Sequence, residues 1–220
     1  MFCLGKKDTS DTIILTSKYQ ELVHDSSNLP NVWSNIKTYP YYLLYLYHVN
    51  VIHQAIEANF PSDQKVVIGV SGGMDSCVLL HALYTQNIPC IVAHVNYAMR
   101  GKDSDEDAQF VEQLAKSYGF PFVLREVNGK ALKSSGNFQD AARQTRYNFF
   151  QEVAHNHNAQ WIVTAHHLDD QAETMLLKLL GGSTIKGLAG MAAIEGNCCR
   201  PLLHIPRADL LAYADWNLAW

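Results

Sequence analysis

One stretch of the sequence, Val66 to Leu80, places a short polar turn between an apolar run of strand character and a run of helix character. The turn is Ser71-Gly72-Gly73-Met74-Asp75-Ser76. Because glycine has no Cβ, the backbone can pass close to a ligand, and the following helix directs unpaired N–H groups and partial positive charge at it. The turn therefore favours a phosphate-binding loop. For Ser-Gly-Gly alone, an ordinary strand-to-helix turn is an alternative of equal weight.

Three residues of the turn narrow its chemistry. Ser71 and Ser76 offer hydroxyl donors to an anion, whereas the carboxylate of Asp75 suits a site with phosphates only if a magnesium ion lies between them. No lysine follows the glycines, so the turn does not match the common G-x-x-x-x-G-K-[ST] loop.

Composition excludes several classes of protein. The chain has 220 residues, 48% of them hydrophobic, which is enough for a substantial core. Its formal net charge of -4 gives no overall attraction to nucleic acid, so an RNA partner would need a local basic patch or a further domain. Five cysteines without a C-x-x-C pair indicate a reducing compartment and no structural zinc. Because the sequence has neither an apolar span nor a signal peptide, we expect a cytoplasmic protein without membrane contact.

The order of apolar runs and helical patterns predicts an α/β domain with a mostly parallel sheet of five strands. The strands are expected over 65–70, 88–95, 122–127, 161–165 and 198–203. A helix is expected over 41–58, and residues 1–45 are interpreted as an N-terminal extension of unknown role, followed by a domain over 46–220. In a parallel sheet the carboxyl ends of the strands meet at the ligand crevice. His94, near the end of the second strand, either contacts a nucleotide base or ribose there or is a satisfied structural histidine.

Two further stretches carry charge. Residues 99–102 form a basic tip, and the acids between 103 and 107 suit the positive end of a helix better than a metal site.

Arg143 and Arg146 lie three residues apart on a predicted helix, so two guanidiniums share a face that can clamp phosphates or RNA. A solvated face with ion pairs is the alternative.

A second polar cluster, HHLDDQAET at 166–174, follows the fourth strand. Asp170 and Glu173 can project from one edge of a helix and hold magnesium or a substrate ammonium, whereas Asp169 equally suits the helix dipole. The apolar residues later in this helix are expected in the core: Met175, Leu176, Leu177, Leu179 and Leu180. Zinc is disfavoured because the cluster lacks H-x-x-x-H spacing and a thiolate pair. The glycine-rich segment 181–191 has the length of an active-site loop, and Lys186 is its only charge.

Three motifs together, SGGMDS at 71–76, AARQTRY at 141–147 and HHLDDQAET at 166–174, resemble the PP-loop family of N-type ATP pyrophosphatases. Within it, GSTIKGLAGM at 182–191 and RPLL at 200–203, followed by IPRADLLAYA, are similar to the tRNA(Ile)-lysidine synthase subgroup. The resemblance covers about 48–220. It implies a doubly wound sheet with helices on both faces, of the adenine nucleotide alpha hydrolase type.

The resemblance also implies an activity. An enzyme of this subgroup uses ATP, with Mg²⁺, to adenylate carbon 2 of the wobble cytidine in tRNA(Ile) with a CAU anticodon, and pyrophosphate is released. The amine of free L-lysine then displaces AMP.

Site residues follow from the same resemblance. The implied catalytic residues are Asp75, Arg146, His167, Asp170 and Glu173, and the implied ATP-binding residues are Ser71, Gly72, Gly73, Met74, Asp75, Ser76, His94, Arg146 and His166. Asp75 would lie near magnesium, and Arg146, with Arg143 as a second candidate, would neutralise charge on the phosphates. Asp170 and Glu173 would receive the lysine ammonium. Which of His166 and His167 acts is left open.

The chain departs from the family in two respects. Its first 45 residues match no part of the family, and the helical and C-terminal domains that bind tRNA there are missing, so we expect the chain to continue past Trp220. Thiolating PP-loop enzymes are the nearest alternative. They have the loop sequence SGGKDS and C-x-x-C pairs, whereas this chain has Met74 in place of the lysine and no C-x-x-C pair. Amide-forming ATP pyrophosphatases and a non-catalytic ATP-binding regulatory module are further alternatives, and a homodimer is left open.

Overall fold

The structure is a computed structural model that describes residues 40–59, 64–134, 136–182 and 190–218, without the side chains of 40–45 and 134. The chain divides into two compact units, Met1–Leu44 and Tyr45–Trp220. The fold given below is that of the second unit. The extension over 1–45 stays a prediction, since residues 1–39 lie outside the described part. None of the helices in the described ranges combines the length and the apolar character that a membrane crossing requires.

A six-stranded sheet forms the centre of this unit. Its strands in chain order are β1 Val66–Gly69, β2 Cys90–Asn96, β3 Phe122–Glu126, β4 Trp161–Val163, β5 Ile194–Glu195 and β6 Cys198–Cys199. They are arranged as β3-β2-β1-β4-β6-β5, and every pair is parallel except β5 with β6. Val66, Cys90 and Trp161, the first residues of β1, β2 and β4, are aligned, and because these strands are parallel their carboxyl ends lie at one edge of the sheet.

Helices cover both faces of the sheet. They are α1 Pro40–Glu57, α2 Met74–Thr85, α3 Lys102–Ser117, α4 Gly129–Ser134, α5 Phe138–His157, α6 Leu168–Leu180 and α7 Arg207–Asn217. Val66 and Ile68 belong to an apolar cluster with α1, α2 and α7, whereas Val67 belongs to a second cluster with α5. Because successive strand residues point to opposite faces, both faces are packed, and the predicted doubly wound α/β class is confirmed.

The glycine at the end of β1 lets α5 pack closely against the carboxyl ends of the strands. A Cβ on Gly69 would lie 2.5 Å from the Cζ atom of Phe150, a distance that side chains do not tolerate. Phe150 is buried and lines the cavity described below. The glycine therefore sets how near α5 comes to the carboxyl ends of the strands.

The structure differs from the prediction at the last strand. The strand expected over 198–203 ends at Cys199, because Pro201 has no N–H to donate and the chain turns, with the Leu203 N–H donating to the Arg200 carbonyl at 3.2 Å. A sixth strand, β5, pairs with β6 as a two-residue hairpin arm. Such a strand is too short to show a periodic pattern. The short helix α4 was also not predicted.

The prediction that the apolar residues of α6 lie in the core is wrong. Met175, Leu176, Leu177, Leu179 and Leu180 are between 44% and 77% exposed, and no residue of α6 is buried. Apolar periodicity identifies a helix face but not the element that packs on it. Among the described residues, nothing covers this face of α6.

Candidate functional site

The polar turn after β1 is closed by its own serine side chains. The Ser76 hydroxyl donates to the Gly73 carbonyl (2.8 Å) and accepts from the Ser71 N–H (3.2 Å). The Ser71 hydroxyl in turn accepts from the Gly73 N–H (3.2 Å). Both hydroxyls therefore shape the loop, and the backbone N–H groups at the start of α2 are the donors left for an anion. Gly72 has a φ of +88°, a left-handed conformation that favours glycine.

A cavity of about 420 Å³ opens beside this loop at the ends of the central strands. Its volume is within the range of small-molecule sites. Of the residues predicted from the sequence, its lining includes Ser71, Gly73, Asp75, Ser76, His94, Arg146 and His166. The described lining does not include Gly72, Met74, His167, Asp170 or Glu173. As expected, the ends of parallel strands bring polar residues together at one cavity. These residues come from three segments, after β1, near the end of β2 and after β4.

His94 is a satisfied structural histidine that also lies in the wall of the cavity. Only 4% of the residue is exposed, and its Nδ1–H donates to the Val70 carbonyl at 2.7 Å. Burial lowers the pKa of His94. The ring is therefore structurally satisfied, and it also forms part of the cavity wall.

The two adjacent histidines lie in different environments. His166 lines the cavity and shares a hydrogen bond with the Thr164 hydroxyl (2.9 Å). Burial, followed by the charge of Arg200, lowers the pKa of His166 to about 4, so its ring is neutral near pH 7. His167 instead faces two carboxylates, with its Nε2 3.6 Å from Asp75 Oδ2 and 3.5 Å from Asp170 Oδ2.

Asp75 is the candidate ligand for a metal ion at this site. Its Oδ1 is buried without a hydrogen-bond partner among the described residues, and the Nε of Arg207 lies 3.7 Å away. No group of three or more His, Cys, Asp or Glu side chains in the described ranges could hold a metal by itself. Magnesium often takes one or two carboxylates together with phosphate oxygens. The site therefore fits magnesium only together with a phosphate ligand.

The three acids at the start of α6 have three different surroundings. Asp170 accepts a hydrogen bond from the backbone N–H of His167 (2.9 Å). Asp169 accepts from the N–H of Arg207 (3.3 Å) at the start of α7, and it also lies in the first turn of its own helix, where its charge suits the helix dipole. Glu173 is exposed, and no described residue pairs with it. Of the predicted pair, Asp170 is thus connected to Asp75 through His167, whereas Glu173 faces solvent.

The two arginines of α5 line different cavities. Arg146 lines the 420 Å³ cavity, whereas the Arg143 guanidinium lies 4.9 Å from the centre of the Tyr147 ring and lines a second cavity of about 450 Å³. Helix positions three apart are rotated by roughly 60°, which is enough to separate them. Of the two arginines on α5, only Arg146 belongs to the described lining of the first cavity.

Sequence reasoning missed two arginines near the site. Arg200 is 1% exposed, donates to the Ala192 carbonyl (2.7 Å) and pairs with Glu195 (3.2 Å). The sequence signal that could have identified Arg200 is its charge within an apolar run, directly before Pro201. Arg100 lines the first cavity with Asp107, although both belong to stretches interpreted only as a basic tip and a helix start.

The end of the glycine-rich segment is fixed by one side chain of α6. Residues 183–189, including Lys186, lie outside the described part of the chain. At Met191, the Gln171 side chain donates to the carbonyl (2.9 Å) and accepts from the N–H (2.6 Å). A Cβ on Gly190 would lie 2.4 Å from Gln171 Oε1. The close approach of the two requires glycine at this position.

We expect Gly190→Ala to lower the free energy of unfolding by about 1–3 kcal/mol, since the methyl group displaces Gln171 from both hydrogen bonds. Urea denaturation measures the loss. The matched control is Gln171→Ala, which removes the same bonds, and the double variant is expected to be no less stable than Gln171→Ala alone. Additive losses in the double variant would show that the two residues act separately.

Comparison with known proteins is consistent with this geometry. A family model described as the PP-loop domain matches residues 47–220. The tRNA(Ile)-lysidine synthase of Geobacter sulfurreducens is 42% identical over 163 residues, which is 71% of this chain and 35% of that protein. The corresponding Bacillus subtilis protein is 40% identical over 161 residues, 69% of this chain and 34% of that protein. The matched region thus spans about a third of the length of these relatives.

Solved structures show the same fold at low identity. The U34-tRNA thiolase NcsA from Methanococcus maripaludis superposes with a TM-score of 0.62 at 20% identity, covering 79% of this chain and 64% of that one. An NH3-dependent NAD synthetase from Campylobacter jejuni gives a TM-score of 0.51 at 14% identity, covering 80% of this chain and 72% of that one. At such identities the likeness concerns the fold alone.

Proposed function

The chain belongs to the PP-loop domain family, and on that premise we propose that it is the catalytic part of a tRNA(Ile)-lysidine synthase acting on the wobble cytidine of a CAU anticodon. One observation carries the proposal. A single cavity joins the glycine loop after β1, the Asp75 carboxylate and the Arg146 guanidinium. This combination suits a nucleotide whose phosphates lie on the loop.

In the first proposed step, the oxygen on carbon 2 of the cytidine attacks the α-phosphorus of ATP. The bond from that phosphorus to the bridging oxygen breaks, and pyrophosphate leaves with the electron pair. The N–H groups at the start of α2 bind the pyrophosphate portion, and Arg146 neutralises the charge that grows on it. When bound, a magnesium ion held by Asp75 would supply further positive charge at the phosphates.

In the second step, the amine of lysine attacks carbon 2, the carbon–oxygen bond breaks, and AMP leaves with its electron pair. The attacking nitrogen loses a proton. Asp170 and Glu173 attract the lysine ammonium and can accept the proton that it loses to become the attacking amine, while the proton released after the attack passes to solvent. His166 is a neutral hydrogen-bonding group in the cavity wall, suited to orienting the nucleotide. The proposed location is the cytoplasm, and a homodimer stays a prediction.

Product analysis tests this function. The protein is incubated with ATP, Mg²⁺, L-lysine and tRNA(Ile) carrying a CAU anticodon, and the anticodon fragment is examined by mass spectrometry. We expect the wobble cytidine to gain one lysine, and no gain when lysine is omitted. A sulfur-containing product would favour the thiolating alternative, and ATP binding without any tRNA product would favour a non-catalytic module.

A further inference from the structure

Arg100 lies at the cavity from a different wall than Arg146. It belongs to the turn between β2 and α3, whereas Arg146 belongs to α5, and both line the same 420 Å³ space. The sequence pattern around it gave only a basic tip, and the reaction steps above do not use it. An arginine in the wall of a nucleotide-sized cavity is suited to bind a ligand group of opposite charge.

The turn that presents Arg100 is rigidly built. The buried side chain of Asn96 accepts from the Ala98 N–H (2.8 Å) and donates to Asp105 (2.9 Å), which holds Ala98 in a left-handed conformation with φ of 50°. The Arg100 N–H donates to the Ser104 hydroxyl (3.1 Å). Left-handed backbone at a residue other than glycine persists only where the surroundings enforce it, often at functional sites. The position of Arg100 is thus imposed by the fold.

The guanidinium of Arg100 is paired with a residue that lies against the glycine loop. Its Nη2 forms an ion pair with Asp107 Oδ2, and the two side chains are 66% and 38% exposed. Asp107 itself lies against the loop, because a Cβ placed on Gly72 would be 3.6 Å from the Asp107 Cβ. An ion pair between exposed groups is weak, so a phosphate can take the place of the carboxylate at little cost.

We propose that Arg100 binds the phosphates of the nucleotide, opposite Arg146, so that two arginines from separate elements enclose the triphosphate. This rests on the proposed function, since it presupposes a nucleotide in the cavity. Two guanidiniums from different directions match the several oxygens of a polyphosphate better than one does, because each donates in a planar fork. Asp107 holds Arg100 in place while the cavity is empty.

Binding measurements on Arg100→Ala test the proposal. ATP and adenosine are titrated separately in the presence of Mg²⁺, so that phosphate contacts are separated from base and ribose contacts. The Kd for ATP is expected to rise about tenfold, the effect of losing one charge-assisted contact, with the Kd for adenosine unchanged. Arg100→Lys keeps the positive charge but lacks the planar fork of the guanidinium. Its Kd for ATP is expected to fall between those of the unsubstituted protein and Arg100→Ala.

The matched control is Arg125→Ala, which also removes an arginine from an exposed ion pair, with Glu152 at 2.8 Å, away from the cavity. We expect it to bind ATP as the original protein does. Unchanged ATP affinity in Arg100→Ala, or an equal loss for ATP and adenosine, would overturn the inference while leaving the proposed function in place. If the unsubstituted protein bound no ATP at all, both would fall together.

Discussion

Replacing Asp75 with asparagine is expected to lower the rate of pyrophosphate release by at least about a hundredfold, the loss typical of removing a main electrostatic group from a phosphoryl-type transfer. The carboxylate lines the cavity next to the glycine loop, and its buried Oδ1 has no hydrogen-bond partner among the described residues. Asparagine keeps the shape but removes the charge that would hold magnesium. Pyrophosphate release in the presence of tRNA(Ile) and lysine, measured at saturating ATP, gives the rate.

The control for this variant is Asp209→Asn. It likewise removes a carboxylate beside a histidine, since Asp209 Oδ1 lies 3.0 Å from His48 Nδ1, but it is not part of the cavity lining. We expect its rate to match that of the unsubstituted protein, and thermal melts should show both variants folded. An Asp75→Asn protein that releases pyrophosphate at the normal rate would show that this carboxylate does not serve the phosphates.

The second large effect is expected for Glu173→Gln, in the step that consumes lysine. Transfer of lysine to tRNA should fall by at least about a hundredfold, because the variant loses a carboxylate that attracts the ammonium and can accept its proton. Stability and ATP affinity should not change, since Glu173 is exposed, has no partner among the described residues and lies outside the cavity lining. Transfer of radiolabelled lysine, at several lysine concentrations, separates KM from kcat.

Glu112→Gln is the matched control, an exposed glutamate on α3 that is likewise not part of the cavity lining. It is expected to transfer lysine normally. If Glu173→Gln kept its transfer rate but lost ATP affinity, the residue would belong to the nucleotide site and the assignment to lysine would be wrong.

The four strands β1 to β4, their parallel pairing and the shared edge at which they end were predictable from the sequence. Runs of buried β-branched residues mark parallel strands, and the topology rule for α/β sheets brings their carboxyl ends together. That rule is enough to place the Ser71–Ser76 loop, His94 and His166 at one cavity. The glycine loop is local chemistry, so its form could be predicted without knowledge of any distant contact.

Features that depend on tertiary packing could not be predicted in the same way. The apolar residues of α6 and the pair Arg143 and Arg146 follow helical periodicity, but periodicity does not tell which neighbour each face meets. His166 and His167 point to different partners because the backbone at His167 is extended, and successive side chains of extended backbone point to opposite sides. Arg100 became visible only when the turn after β2 placed it in the wall of the same cavity as the glycine loop, two elements away in the chain.

Pyrophosphate release with different tRNAs tests the central claim most directly. The protein is given ATP, Mg²⁺ and L-lysine with either tRNA(Ile) bearing a CAU anticodon or an isoleucine tRNA whose wobble base is not cytidine. We predict that pyrophosphate and AMP form in quantity only with the CAU tRNA, and only when lysine is present. Equal release with both tRNAs would contradict the assignment to lysidine formation.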